Sequence, residues 1–199
     1  MTNKTPSFSI FCIDYRFDAL IADFYEDIGK KFDYYACTVA GGAMPLGYEK
    51  YCIKNCNSCG KNNKKPCNPV NSSMKLLKKN LIENLNIALT LNTIREVFLL
   101  NHQDCGAIKD FLACSGYPQT LGANNTKEIK INSKLLSYAN EYILRYFPKM
   151  KYVLGFVDIN GSVASYNISQ KIWTVIYVGK YHDTKGTWYN MKVGDALKI

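Results

Sequence analysis

Three observations predict an α/β fold, with a mostly parallel central sheet of four to five strands flanked by helices. Short apolar, β-branched or aromatic runs alternate along the chain with stretches of helical periodicity. The connections between the first four runs are long enough for helical crossovers, as parallel neighbours require. Polar or glycine-rich motifs follow three of the runs, where ligands bind in such sheets.

The elements follow in order. Residues 7–13, "SFSIFCI", read as a short buried strand. A helix follows, with Phe17, Leu20, Ile21, Phe24 and Ile28 on one face and Gly29 near its stop. "FDYYACTV" (32–39) is a second strand and runs into the small, turn-forming "AGGAMPLG". Residues 48–71 carry cysteine, lysine, asparagine and proline without apolar periodicity and read as an insertion within a single domain spanning 1–199. After "NSS", suited to an N-cap, Met74, Leu77, Leu81, Leu85 and Ala88 mark one face of a long helix. "EVFLLN" (96–101) is a third strand, ending in "HQDCG", and a short helix is predicted over 106–113. A longer helix over about 127–147 carries Leu135, Tyr138, Tyr142 and Tyr146 on one face and stops at Pro148. "KYVLGFV" (151–157) and "KIWTVIYV" (171–178) are the fourth and fifth strands; the fifth follows too closely for a helical crossover and is expected antiparallel at an edge.

With 199 residues, 47% of them hydrophobic, the chain can bury one sizeable core. Its start lacks a basic segment followed by a long apolar run, and nothing reaches the roughly 18 apolar residues of a membrane span. The expectation is a cytoplasmic protein with no membrane partner. Charge is localised: of the net +9, eight lysines (50, 54, 61, 64, 65, 75, 78, 79) fall between residues 50 and 82 without an Asp or Glu. Basicity confined to one segment argues for a solvated loop and against a nucleic-acid-binding face of the domain.

Eight cysteines in a chain without an export signal point to metal ligands or catalytic thiols before disulfides. Cys12 closes the first strand, and His102 and Cys105 stand three apart at the end of the third. Two thiolates and one imidazole make three protein ligands, the number a catalytic zinc takes. Taken singly, His102 would read as a turn residue and the cysteines as small core fillers. Their convergence on one sheet edge, with Asp14 and Arg16 beside them, favours a metal site. Cys37 and Cys114 read as buried fillers and His182 as a surface residue.

"CIDYR" (12–16) followed by "HQDCG" (102–106) resembles the β-class carbonic anhydrases, whose signature is C-x-D-x-R and later H-x-x-C-G. The resemblance covers about residues 7–47 and 72–160. It implies a β-carbonic anhydrase-like fold and a catalytic Zn2+ on Cys12, His102 and Cys105. It further implies that Arg16 holds Asp14 beside the metal's fourth position, where the aspartate accepts a hydrogen bond from zinc-bound hydroxide. The implied reaction is reversible hydration of CO2 to bicarbonate, in a pocket lined by Ala40, Gly41, Gly42, Ala43 and Gly106, within a homodimer or larger homo-oligomer. Relatives of the fold hydrolyse carbonyl sulfide or carbon disulfide with the same zinc and dyad. Asn101 stands before His102, where a glycine is common in the family.

The insertion contains C-x3-C-x2-C-x7-C: Cys52, Cys56, Cys59 and Cys67. In a hydrophilic stretch with no core of its own, it reads either as a second, structural zinc site or as surface thiols. A non-catalytic zinc protein whose basic loop binds a partner is the alternative from outside the enzymes. An oriented Asp14–Arg16 pair argues against it, since a structural zinc has no use for one.

Overall fold

The computed structural model describes residues 6–55, 71–112, 125–180, 186–188 and 190–199. Its strands are β1 (Ser7–Cys12), β2 (Tyr34–Val39), β3 (Glu96–His102), β4 (Lys151–Val157), β5 (Val163–Asn167), β6 (Ile172–Tyr177) and β7 (Ala196–Lys198). The helices are α1 (Asp18–Asp27), α2 (Met44–Asn55), α3 (Asn71–Leu91), α4 (Gly106–Phe111) and α5 (Asn125–Ile143), with a 3-10 turn at Tyr15–Phe17.

One seven-stranded sheet runs in the order β2-β1-β3-β4-β5-β6-β7. β1 and β3 lie inside it, and their near-continuous apolar sequences are buried on both faces, as parallel strands between helical layers require. Alternation sorts their side chains. Phe8, Ile10, Val97 and Leu99 pack with Leu81 and Leu85 of α3 and Leu136 and Ile143 of α5. Phe11, Phe98 and Leu100 face Leu20, Ile21, Phe24 and Tyr25 of α1 on the other side. Each such fully buried side chain contributes about 1.5–3 kcal/mol relative to exposure. A third apolar cluster, holding Cys12, Met44, Tyr48, Tyr51, Cys52, Cys105 and Ile108, closes the carboxyl end of β1.

The sheet is mixed, not mostly parallel. β2, β1, β3 and β4 pair parallel, while β4–β5, β5–β6 and β6–β7 pair antiparallel. After β4 the chain turns back over 158–162 with no helical crossover, and so short a link joins only antiparallel neighbours. The fifth predicted strand is β6, antiparallel as expected, but the edge belongs to β7.

The stretch from 44 to 55 is helix α2, where an unpatterned loop was predicted. Met44, Tyr48, Tyr51 and Cys52 fall at helical spacing and are buried, and Pro45 sits in the first turn, where its missing N–H costs nothing. α2 packs on α5 at backbone contact. A Cβ at Gly47 would come within 2.2 Å of the Leu135 carbonyl oxygen, so only glycine fits.

β1 is followed by β2 on one side and, after α2 and α3, by β3 on the other. The gap between the carboxyl ends of β1 and β3 is therefore the topological switch point, where α/β sheets leave a crevice. Among the described residues no helix is long and apolar enough to cross a membrane.

Candidate metal centre

β1 ends at Cys12 and β3 at His102, so strand pairing alone brings these two side chains to the switch point. The chain after His102 makes a tight turn, with Asp104 at a left-handed φ of 59°, and returns Cys105 to the same place. The donor atoms of Cys12, His102 and Cys105 all lie within 4.8 Å of one another, and all three residues are buried. This group can hold a metal ion.

Its chemistry is asymmetric in a telling way. The Nδ1 of His102 lies 2.8 Å from the Gln103 carbonyl oxygen. A carbonyl only accepts, so Nδ1 carries the proton and Nε2 presents its lone pair. Nε2 is buried and has no hydrogen-bond partner, a costly state for a polar atom unless something else satisfies it. Fixing one ring nitrogen on a backbone carbonyl while the other faces thiols is how ligating histidines are held. The ring also packs on Phe17, centroids 4.0 Å apart.

The two sulfurs are 3.8 Å apart. Contact with the Cys105 thiol draws the Cys12 thiol down, against the opposing effect of burial and with further help from the Gly41 N–H. Cys105 moves up, because it donates to the Cys12 thiolate and is itself buried.

Of the glycine-rich turn expected to line the pocket, only Ala40 lies on the cleft; Gly41, Gly42 and Ala43 are buried behind it, where their backbone supports the site. Gly41 donates its N–H to Cys12 Sγ at 3.4 Å. Gly42, at φ 60°, lies where a Cβ would meet the Leu100 carbonyl oxygen at 2.2 Å. The Ala43 N–H donates to Asn101 Oδ1 at 3.0 Å, and Asn101 donates in turn to Asn132 at 2.9 Å. Asn101, where glycine is common in the resembled family, thus ties the turn to β3 and α5.

Asp14 and Arg16 form a pair at the mouth. Asp14 caps the 3-10 turn, accepting the Arg16 backbone N–H, and that turn folds the guanidinium back over the carboxylate. Nε donates to Oδ1 at 2.9 Å and Nη2 to Oδ2 at 2.6 Å. This holds Asp14 below the usual carboxylate range, and Asp14 Oδ2 lies 3.9 Å from His102 Nε2. An open cleft of about 550 Å³ reaches the centre, lined by Cys12, Ile13, Asp14, Tyr15, Arg16, Ala40, Gly106 and Ala107.

Of the four insertion cysteines, Cys52 is buried on α2 in the apolar cluster that also holds Cys12 and Cys105. Cys56, Cys59 and Cys67 lie outside the described residues, as do Cys114 and His182. Cys37 is buried on β2, as expected, and accepts a hydrogen bond from Asn84. Two participants escaped the sequence reading: Asp104, which bonds Arg16, and Glu128, which accepts the Asp104 N–H. Asp104 was visible as the second of the two variable positions of "HQDCG". Glu128 carried no local signal.

No protein-family model matches the chain, and no solved structure matches it. A protein of Rickettsia bellii (strain RML369-C), described as an uncharacterized protein, is 20% identical over 161 residues, covering 81% of each chain.

Proposed function

We propose that this protein is a zinc lyase of the β-carbonic anhydrase type that hydrates CO2 reversibly to bicarbonate. The observation that carries the reading is the buried Cys12–His102–Cys105 group, with an unpartnered His102 Nε2 and an arginine-held carboxylate at its edge. Two thiolates at about 2.3 Å from a tetrahedral zinc stand about 3.8 Å apart, and the two sulfurs here have that spacing. The β-carbonic anhydrase-like fold is part of the proposal. It is supported by the position of both halves of the signature, at the carboxyl ends of β1 and β3.

Zinc in an open site makes water a nucleophile near neutral pH. The chain's own residues do the rest. Cys12, Cys105 and His102 supply the donor set, and two thiolates neutralise the ion's formal charge. Arg16 keeps Asp14 ionised and turned toward the centre, where it accepts a hydrogen bond and orients the attacking oxygen. Ala40, Gly106 and Ala107 give the cleft small walls suited to a small apolar substrate. At its rim Ile13 and Tyr15 are 61% and 82% exposed, apolar surface that a second copy of the chain would cover in the implied homo-oligomer.

The test is stopped-flow CO2 hydration by the zinc-loaded protein, Cys105→Ser and Asp14→Asn, from about pH 7 to 9 around the expected water pKa. Turnover should rise with pH, vanish in Cys105→Ser, and fall roughly a hundredfold in Asp14→Asn. Absence of turnover at every pH, with zinc bound, would overturn the assignment and direct the search to carbonyl sulfide and carbon disulfide.

A further inference from the structure

The Asp14–Arg16 pair has a weakness that its own geometry does not cure. The Arg16 side chain is 45% exposed and leaves the chain from a single 3-10 turn. An exposed ion pair holds an arginine only weakly against the rotamer entropy lost when its long side chain is fixed. Asp14 alone would not keep the guanidinium in one place.

We propose that Asp104 is the positioning residue that holds Arg16, and through it Asp14, in register with the Cys12–His102–Cys105 group. The effect on turnover rests on the carbonic anhydrase reading; the positioning itself does not. Arg16 is gripped from two sides. Nε and Nη2 face Asp14, while Nη1 donates to Asp104 Oδ2 and Nη2 to the Asp104 carbonyl oxygen, both at 3.2 Å. A guanidinium presents five donors in a rigid plane, and here that plane is filled by two acceptor sets at once.

Asp104 can serve as the anchor because it is itself held on three counts. Its N–H donates to Glu128 Oε1 at 2.8 Å, and Glu128 is buried in the first turn of α5. Its carboxylate also pairs with the Lys109 ammonium from α4. Its backbone sits at φ 59°, which Asp and Asn tolerate better than other residues with a side chain. The result is an alternating row of charges, Asp14, Arg16, Asp104 and Lys109, one end beside His102 and the other on α4. The turn that delivers Cys105 to the centre is the one that presents Asp104 to Arg16. One turn therefore places both Cys105 and the anchor of Arg16.

The test uses zinc-loaded, 15N-labelled protein and reads the exchange of the Arg16 Nε–H with water. The chain has three arginines, Arg16, Arg95 and Arg145, so Arg16→Lys assigns the signal by its loss. Asp104→Asn and Asp104→Gly both suit the left-handed backbone and keep the N–H for Glu128. In Asp104→Gly the Arg16 Nε–H should exchange about tenfold faster, the scale of one lost charge-assisted hydrogen bond. The Asn variant should shift in the same direction by less. The Arg95 and Arg145 signals and the zinc content should not change, and kcat for CO2 hydration should fall along with the protection. Wild-type exchange in both variants would overturn the proposal, whatever happens to activity. Should the Gly variant fail to fold, Asp104→Asn alone decides. Faster exchange in a protein whose wild type hydrates no CO2 would support the positioning role and sink the carbonic anhydrase reading instead.

Discussion

Two buried polar groups stand on neighbouring strands at one edge of the sheet, and they are finished differently. Asp158, just past β4, is fully buried. Its Oδ1 accepts the N–H groups of Asn160 and Ser162, and its Oδ2 that of Trp188, at 2.9–3.0 Å. His102, at the end of β3, is as deeply buried, but only Nδ1 is satisfied and Nε2 faces two sulfurs without a partner. A carboxylate that takes three backbone N–H groups is a structural clamp. An imidazole with a buried, unpartnered nitrogen beside two thiols belongs to a group that can hold a metal ion. Burial does not separate structure from chemistry here; the state of the last acceptor does.

The comparison breaks most sharply at Asp158. Asp158→Ala leaves three buried N–H groups without an acceptor, and hydrogen bonds to a charged group are worth about 1.5–3 kcal/mol each before any relaxation. We expect at least about 3 kcal/mol of lost stability in urea unfolding, with zinc stoichiometry of the folded fraction unchanged. A loss below about 1 kcal/mol would remove Asp158 from the structural side of the comparison.

His102 should behave in the opposite way. In metal-free protein, His102→Phe keeps the aromatic packing on Phe17 and removes the unpartnered Nε2 in exchange for the Nδ1 bond to Gln103, so stability should change by less than about 1 kcal/mol. Zinc at a hundredfold excess over its Kd should stabilise the wild type by about 2.7 kcal/mol, and the variant far less at the same concentration. Equal stabilisation of both proteins by zinc would show that the ion binds elsewhere.

The contrast also explains what could be read from the residues alone. Cys12 and His102 were legible because each closes a strongly apolar run, Cys105 because it stands three residues past His102, and strand ends of a parallel sheet meet at one edge. The long stripe of α3, from Met74 to Ala88, was legible for the same reason: its period is unambiguous. α2 was not, since "GGAMPLG" has the composition of a turn; only its first three residues form one, and the helix begins at Met44, with Pro45 in its first turn and Gly47 letting it touch α5. β5 and β7, of five and three residues, are too short for a period to show. Their pairing makes the sheet mixed, so the balance of parallel and antiparallel strands went astray with them. Glu128 acts on Asp104 across 24 residues, a contact that only the tertiary fold creates.

The smallest effect concerns the carboxylate that stands between the two extremes. Asp14 is ionised and ion-paired like a structural acid, yet it sits at the mouth of the metal site. Arg16 lowers its pKa in the folded state relative to the unfolded chain. The sign follows: the pair adds stability above the unfolded value of about 3.9, and loses it as pH falls through the lower folded value. With Arg16 half exposed, solvent screening holds the contribution below about 1 kcal/mol. The stability gap between wild type and Asp14→Asn in urea should therefore be small and constant above about pH 5 and close as pH drops below about 4. A gap that instead widens toward acid pH would mean that Asp14 is destabilised as an anion in the fold. Arg16 would then not be its effective partner, and the dyad on which the proposed reaction depends would fail with it.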